Sequence, residues 1–535
     1  MSVPREKGEM AGLHRFPLRV WVSLIPSLSD LAFLIPILVL FWCTPGMGWL
    51  LTDSDTGWHI RTGEWILRNG RIPAEDLFSF TKGGQPWFAW EWLSDVWMAA
   101  IHGHFGLAGI VVVNLLILGC TSVCVYRSTI EESEHRLISI VLTALAMAAS
   151  TIHWLARPHL ATPLLAGIFC WVLSRIEKGV SDAGLLLVLP ALMILWVNLH
   201  GGFFVGIILL TTYAMGAASE ELADRTKRGA WARAQKYLLA TGACAVASLV
   251  NPCSYRLHLH IAQYLGSSFY FERISEFQSV NFHSWTAAYF ETLLGLAMAA
   301  AAWHLCTGSL IHVLLLLSWS HLALFSVRNI PIFAVVSAPG IGLAMRDWLQ
   351  IVDSRWPLDW RGKFAASLDE LETGVRMIGS NRNRRAWHLA PCLTVLALAV
   401  LVSHPGRVKF LHAEFDRSRF PLDAATFLSH NDTLPAVRLF ASWQWGGYLI
   451  YRLWPAVRVF DDGRTDFYGP GFVEEGLHVG EARPDWAEIL ARYRVNGVLV
   501  PSDSPLVTVL RERADWKLVY SDRVALLFAK VENHK

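Results

Sequence analysis

Three carboxylates bracket one short polar stretch, with Asp53 and Asp55 at its start and Glu91 near its end. A carboxylate can take the proton of an acceptor hydroxyl or hold a hard divalent cation. Residues two apart face different ways on a helix, whereas in an extended turn both could approach one ligand. Asp53 or Asp55 is therefore expected as a base, with the other, or Glu91, as orienting partner or metal ligand. Arginines form a second set. Arg157 and Arg328 each precede a helix with a proline in its first residues, and Arg256 lies in a loop between them. Guanidinium groups grip phosphate bidentately, and a helix N-terminus adds amide donors. Such sites suit a lipid-linked phosphate or diphosphate; the alternative is snorkelling toward headgroups. The third set is His59, His159, His200 and His258 with Asn198, able to hydrogen-bond hydroxyls or, for histidine, to ligate metal. No HExxH or other zinc spacing appears, so hydrogen bonding is the expected use. The run Asp461-Asp462-Gly463-Arg464-Thr465-Asp466 follows a strand-like segment. It reads either as a ligand loop at a sheet edge or as a tight turn closed by an Arg–Asp pair.

Residues so far apart need a scaffold, and the apolar runs supply one. A bilayer span needs about 20 apolar residues. Eleven are expected, at 31–51, 105–126, 137–156, 159–174, 184–199, 202–218, 237–251, 286–305, 309–326, 330–345 and 389–403. The stretch 88–104 is amphipathic and leads into the second. Lys and Arg crowd alternate loops: Arg5 to Arg19, Arg127 and Arg136, Arg175 and Lys178, Arg225 to Lys236, and the segment Arg346 to Arg385. The positive-inside rule then places the N-terminus in the cytoplasm and every polar cluster named above on the outer side. No small-residue cleavage site follows the first span, which is expected to stay as an anchor.

Residues 1–403 thus read as a polytopic membrane domain, with 52–104 as its first outer loop. From 404 to 535 the pattern changes to short β-like runs at 436–440, 456–460, 496–501, 516–520 and 524–529, with helical patterns at 484–495 and 504–513. Alternating strands and helices argue a small α/β domain, extracytoplasmic after an odd number of spans. Composition agrees: of 535 residues 53% are hydrophobic and only 17% charged, where a soluble chain would be about a quarter charged. A net charge of +2 gives no reason to expect nucleic acid as a partner. The 25 Trp suit bilayer interfaces and sugar-stacking surfaces alike. The eight Cys lie mostly inside apolar runs without zinc spacing.

The first loop also reads G-x-x-I…G-x-x-P…D through Gly63, Ile66, Gly70, Pro73 and Asp76, between Asp53/Asp55 and Glu91. In this layout the chain resembles the GT-C superfamily of integral-membrane glycosyltransferases, nearest to the protein-mannosyltransferase, aminoarabinose-transferase and RgtA-like branch. The resemblance implies an all-α polytopic bundle, a polyprenyl-phosphate sugar donor, an outer-face active site, inversion at the anomeric carbon, and an acidic first-loop residue as base or metal partner. Asp-Ser-Asp stands where the mannosyltransferase branch commonly has Asp-Glu, and Glu91-Trp92-Leu93 where it has Pro-Pro.

The expectation is a bacterial-type plasma-membrane enzyme moving a sugar to a lipid, glycan or protein acceptor. A divalent cation is left open as cofactor. The rival is a non-catalytic flippase or assembly partner for lipid-linked saccharides. Polar residues confined to one face, without internal repeats, speak for the enzyme.

Overall fold

The computed structural model describes residues 26–224, 229–356, 359–380, 389–403, 412–430 and 437–531. The N-terminal basic residues Arg5, Lys7, Arg15 and Arg19, those at 225–228 and those at 381–388, which help set the expected orientation, lie outside these ranges.

Each expected span contains a helix, from Leu28–Cys43 and Trp92–Ser133 to Ile330–Arg355 and Leu389–Ser403. Six are long and apolar enough to cross a membrane, which makes this a multi-pass membrane protein. Leu28–Cys43, Ala183–Leu199, Leu310–Phe325 and Pro391–Val400 are apolar but shorter, and Ala230–Ala247 meets neither description, so length and composition do not reproduce the expected eleven. Local chemistry explains the trimmed ends. The first helix starts on a capping box between Ser27 and Asp30 and stops at Cys43, before the Thr44-Pro45-Gly46 break. Trp92–Ser133 is continuous except at Gly106, whose φ of 59° and ψ of −158° kink it and detach the amphipathic lead-in. The core of the bundle forms around Ile330–Arg355, whose residues from Ile330 to Gly342 are all buried.

The C-terminal region builds a five-stranded sheet from β1 (Arg438–Ala441), β2 (Arg458–Val459), β3 (Gly497–Pro501), β4 (Trp516–Ser521) and β5 (Ala525–Lys530), in the order β2-β1-β3-β5-β4. β1 is parallel to β2 and β3, and β5 runs antiparallel between β3 and β4. Hydrophobic alternation had marked all five within two residues at each start, because that pattern is local. Helices at Trp486–Arg492 and Pro505–Arg511 fall inside the expected ranges.

This sheet is fused to the first loop. Phe80 N–H donates to Val459 O at 3.1 Å and Val459 N–H to Phe78 O at 3.1 Å, so the loop extends the exposed edge of β2. Helix Asp55–Asn69 crosses Trp443–Leu453 where Gly57 meets Gly447; a methyl at Gly57 would overlap the Gly447 carbonyl and come within 2.8 Å of the Tyr451 Cβ. Trp58, Phe78 and Trp87 of the loop share one apolar cluster with Leu439, Leu449, Val459 and Leu499 of the C-terminal region. Burying side chains of this size contributes about 1.5–3 kcal/mol each. First loop and tail are one structural unit.

Candidate functional site

Asp53 and Asp55 do approach a common partner. Asp55 N–H donates to Asp53 Oδ1 at 2.7 Å, which folds the pair into a turn at the start of helix Asp55–Asn69. Both carboxylates then meet Arg157, at 2.8 Å from Asp53 and 3.0 Å from Asp55. Glu276 closes the ring, 3.0 Å from Arg157 and 3.6 Å from Arg328. Burial and the charge of Asp53 push Asp55 up to about 7 against the pull of Arg157. Burial also raises Glu276, but Arg157, His153 and Arg328 outweigh it and hold that carboxyl down near 2. Negative charge is in excess around one guanidinium.

Glu91 has a different setting. Its oxygens lie 3.6 Å from His59 Nε2 and 3.5 Å from His200 Nε2. Burial raises it to about 8, and the same burial, reinforced by nearby arginine charge, holds His59 and His200 below the usual imidazole range. His59 Nδ1 sits 2.6 Å from Asp95 Oδ1. His200 Nδ1 accepts from Gly202 N–H at 3.0 Å and faces the Thr162 hydroxyl at 2.8 Å.

The tail supplies the opposite wall. After β2, residues 461–466 turn into the bundle. Arg464, 2% exposed, donates to Asp462 at 2.8 and 2.7 Å and to Asp76 of the first loop at 2.8 Å. Its guanidinium lies over the ring of Trp87 at 4.5 Å. Both readings of this run hold at once: it is a turn closed by an Arg–Asp pair, and it lines the site. Gly463 lies so close that a methyl there would run into the Asp55 carboxylate and displace it. Asp466 accepts from His260 at 2.8 Å and from Trp90 Nε1 at 3.4 Å.

These walls enclose a polar cavity of about 80 Å³ lined by residues including Asp55, His59, Glu91, Arg157, Arg328 and Arg464. It opens into a mostly apolar cavity of about 310 Å³ walled by Phe204, Phe271, Phe277, Trp319, Phe325 and Ile332. Trp90, His159, His200, Tyr264, Arg328 and Asp466 border both.

Of the residues singled out from sequence, Asp55, Glu91, His59, Arg157, His159, His200 and Arg328 line the polar cavity, and Asp53 reaches it through Arg157. Asn198, His258 and Arg256 line neither cavity. Asn198 is spent on structure, accepting from Trp92 Nε1 at 2.8 Å and donating to two carbonyls. His258 meets Ser248 at 2.9 Å, and Arg256 is exposed. Asp95, Trp58, Trp90, Tyr264 and Glu276 had no motif to flag them; they are conspicuous only once the helices pack. As for a divalent cation, the described residues contain no group of three His, Cys, Asp or Glu placed to hold one. Asp53, Asp55 and Glu276 converge on Arg157 instead.

No family model matches this chain and no curated protein matches it. Solved structures do. The oligosaccharyltransferase of Archaeoglobus fulgidus, tethered with an acceptor peptide containing the NVT sequon, matches with TM-score 0.54 at 12% identity, over 97% of this chain and 74% of that one. Its apo form gives 0.50 and 12%, over 98% and 76%. ArnT from Cupriavidus metallidurans in the apo state gives 0.49 and 14%, over 96% of this chain and 98% of its own. The chain therefore shares the fold of the archaeal oligosaccharyltransferase.

Proposed function

We propose that this chain is a membrane glycosyltransferase that moves a sugar from a polyprenyl-phosphate-type carrier to an acceptor at the outer face of a bacterial-type plasma membrane. The observation that carries this reading is the two-chambered cavity: an apolar compartment of about 310 Å³ joined to a small polar one through Arg328. A lipid tail fits the first and a phosphate fits the junction. Arg328 is the better phosphate reader, because Arg157 already serves Asp53, Asp55 and Glu276.

The polar chamber suits a polyhydroxyl group. Lining it, Trp58 Nε1, Arg464 Nη1, His159 Nδ1 and Asp95 Oδ2 are buried without a hydrogen-bond partner among the described residues. Buried polar atoms without partners are few in folded proteins, and donors and acceptors together match sugar hydroxyls. In the reaction the acceptor oxygen bonds the anomeric carbon with inversion as the anomeric C–O bond to phosphate breaks. The carrier phosphate leaves with the electron pair, held by Arg328, and the acceptor proton passes to a carboxylate of the chamber. Positioning and charge stabilisation supply most of the acceleration. The fold of the oligosaccharyltransferase supports the class of reaction.

The test is incubation of the purified full-length protein with labelled polyprenyl-phosphate sugars and membrane lipids, glycans or peptides. Label is expected to move to one acceptor class. Unchanged donor in every combination removes the proposal.

A further inference from the structure

We infer that helix Trp360–Ser380 lies flat in the membrane surface at the end of the bundle farthest from the polar cavity, with Trp360, Phe364 and Leu371 inserted among phospholipids at the headgroup boundary. This membrane-binding surface is separate from the transferase site and does not depend on it.

Two spans fix where this helix sits. Helix Ile330–Arg355 starts beside Arg328 at the cavities and runs for 26 residues. At 1.5 Å per residue that is about 39 Å, so its far end clears a hydrocarbon layer about 30 Å thick. Helix Arg136–Ser150 runs the other way: the chain leaving it passes through His153 to Arg157, both at the cavities, so Arg136 is also at the far end. The two far ends are joined by Glu372. This buried carboxylate accepts from Leu137 N–H at 3.1 Å and from Arg136 Nη1 at 3.3 Å, and lies 3.4 Å from His135 Nδ1. An acid at the first turn of a helix is favourably placed. Helix Trp360–Ser380 is thereby held against the bundle where a span begins, and the exposed Val141 is five residues along that span, about 7.5 Å away.

The side chains of the helix divide into three faces. Gly362, Ala365 and Glu372 are buried against the bundle, and Lys363, Glu370 and Thr373 form an exposed polar face. The third face is apolar yet uncovered: Trp360, Phe364 and Leu371 are 73%, 58% and 57% exposed. On an α-helix these three positions fall within about 40° of one another. A stripe of this kind is driven out of water, and lipid is what its surroundings offer. It continues the outer surface of the preceding span, where Ile351 and then Trp356 are exposed as well. Arg355 lies over the Trp356 ring at 5.8 Å, and Arg361 over Trp356 at 5.9 Å and Trp360 at 5.7 Å. Indole rings paired with guanidinium groups suit the headgroup level, where the ring meets acyl chains and the cation meets phosphate. Arg355, Arg361 and Lys363 are offset by Asp359, Asp369 and Glu370, while Glu372 is taken by Arg136. Apolar insertion rather than net charge therefore holds the helix down, and zwitterionic phospholipid suffices as its partner.

The experiment uses the wild-type, full-length protein at one copy per phosphatidylcholine nanodisc, which removes a second copy as a cover for the stripe. Part of the lipid is phosphatidylcholine carrying a diazirine near the top of one acyl chain, and adducts are located after photolysis by fragmenting proteolytic peptides. Trp360, Phe364 and Leu371 are expected to carry about fivefold or more adduct than Lys363, Glu370 and Thr373, with Val141 labelled in the same discs as the reference for lipid contact. The pattern is expected to persist in about 1 M salt, where charge attraction is screened within about 3 Å. Labelled Val141 with an unlabelled stripe, adducts spread evenly over all three faces, or loss of the stripe's label in high salt would each overturn the inference. None of these outcomes bears on transfer activity.

Discussion

Two arginines line the polar cavity, and they are built differently. Arg157, from the bundle, is partly exposed to the cavity and ringed by Asp53, Asp55 and Glu276. Arg464, from the tail, is almost fully enclosed, clamped by Asp462 and Asp76, and packed on Trp87, Phe78 and Phe467. The first holds acidic groups in a cavity open to ligand. The second is a rivet through the junction of loop and tail whose spare nitrogen looks into the site. An arginine's job here follows from how many of its donors are already taken and how dry its surroundings are.

That contrast can be broken by mutation. Removing the rivet should cost most: Arg464→Met strands two buried carboxylates and is expected to destabilise the protein by about 3–5 kcal/mol, read as a fall in thermal unfolding temperature in detergent. Arg157→Gln should cost less stability, about 1–3 kcal/mol, because two of its three carboxylates, Asp53 and Glu276, are partly exposed, while transfer falls on the order of 100-fold or more. Equal losses of stability in the two variants would erase the distinction. Gly463→Ala sharpens it from the tail side, since the new methyl displaces the Asp55 carboxylate. A strain of about 1–3 kcal/mol and a clear drop in kcat are expected with the fold retained by circular dichroism. Arg256→Ala, at an exposed position off both cavities, should change stability by no more than about 0.5 kcal/mol and leave transfer at the wild-type rate.

Much of this arrangement was legible before any coordinates. Helix positions and all five strands follow from apolar periodicity, and Asp55, His59, Glu91, Arg157, His159, His200 and Arg328 stood out as polar residues at helix ends. Asn198, Arg256 and His258 carried the same signal, yet nothing in a one-dimensional pattern tells a side chain spent on a carbonyl from one aimed into a cavity. Asp95 was hidden because it sits just inside an amphipathic helix, where an acidic residue reads as a solvated face. Residues 461–466 were ambiguous because a turn and a ligand loop use the same Gly, Asp and Arg.

The sequence by itself determined which segments are apolar and helical and which stretches form strands, since these depend on neighbours a few residues away. Tertiary structure alone decided that a tail more than 350 residues downstream closes over the first loop, that Asp53 and Asp55 share Arg157, and that Glu91 lies between two imidazoles. Those facts depend on close approach at Gly57, Gly63 and Gly447, where the absence of a side chain lets distant backbones touch, and no local propensity encodes which surfaces will meet.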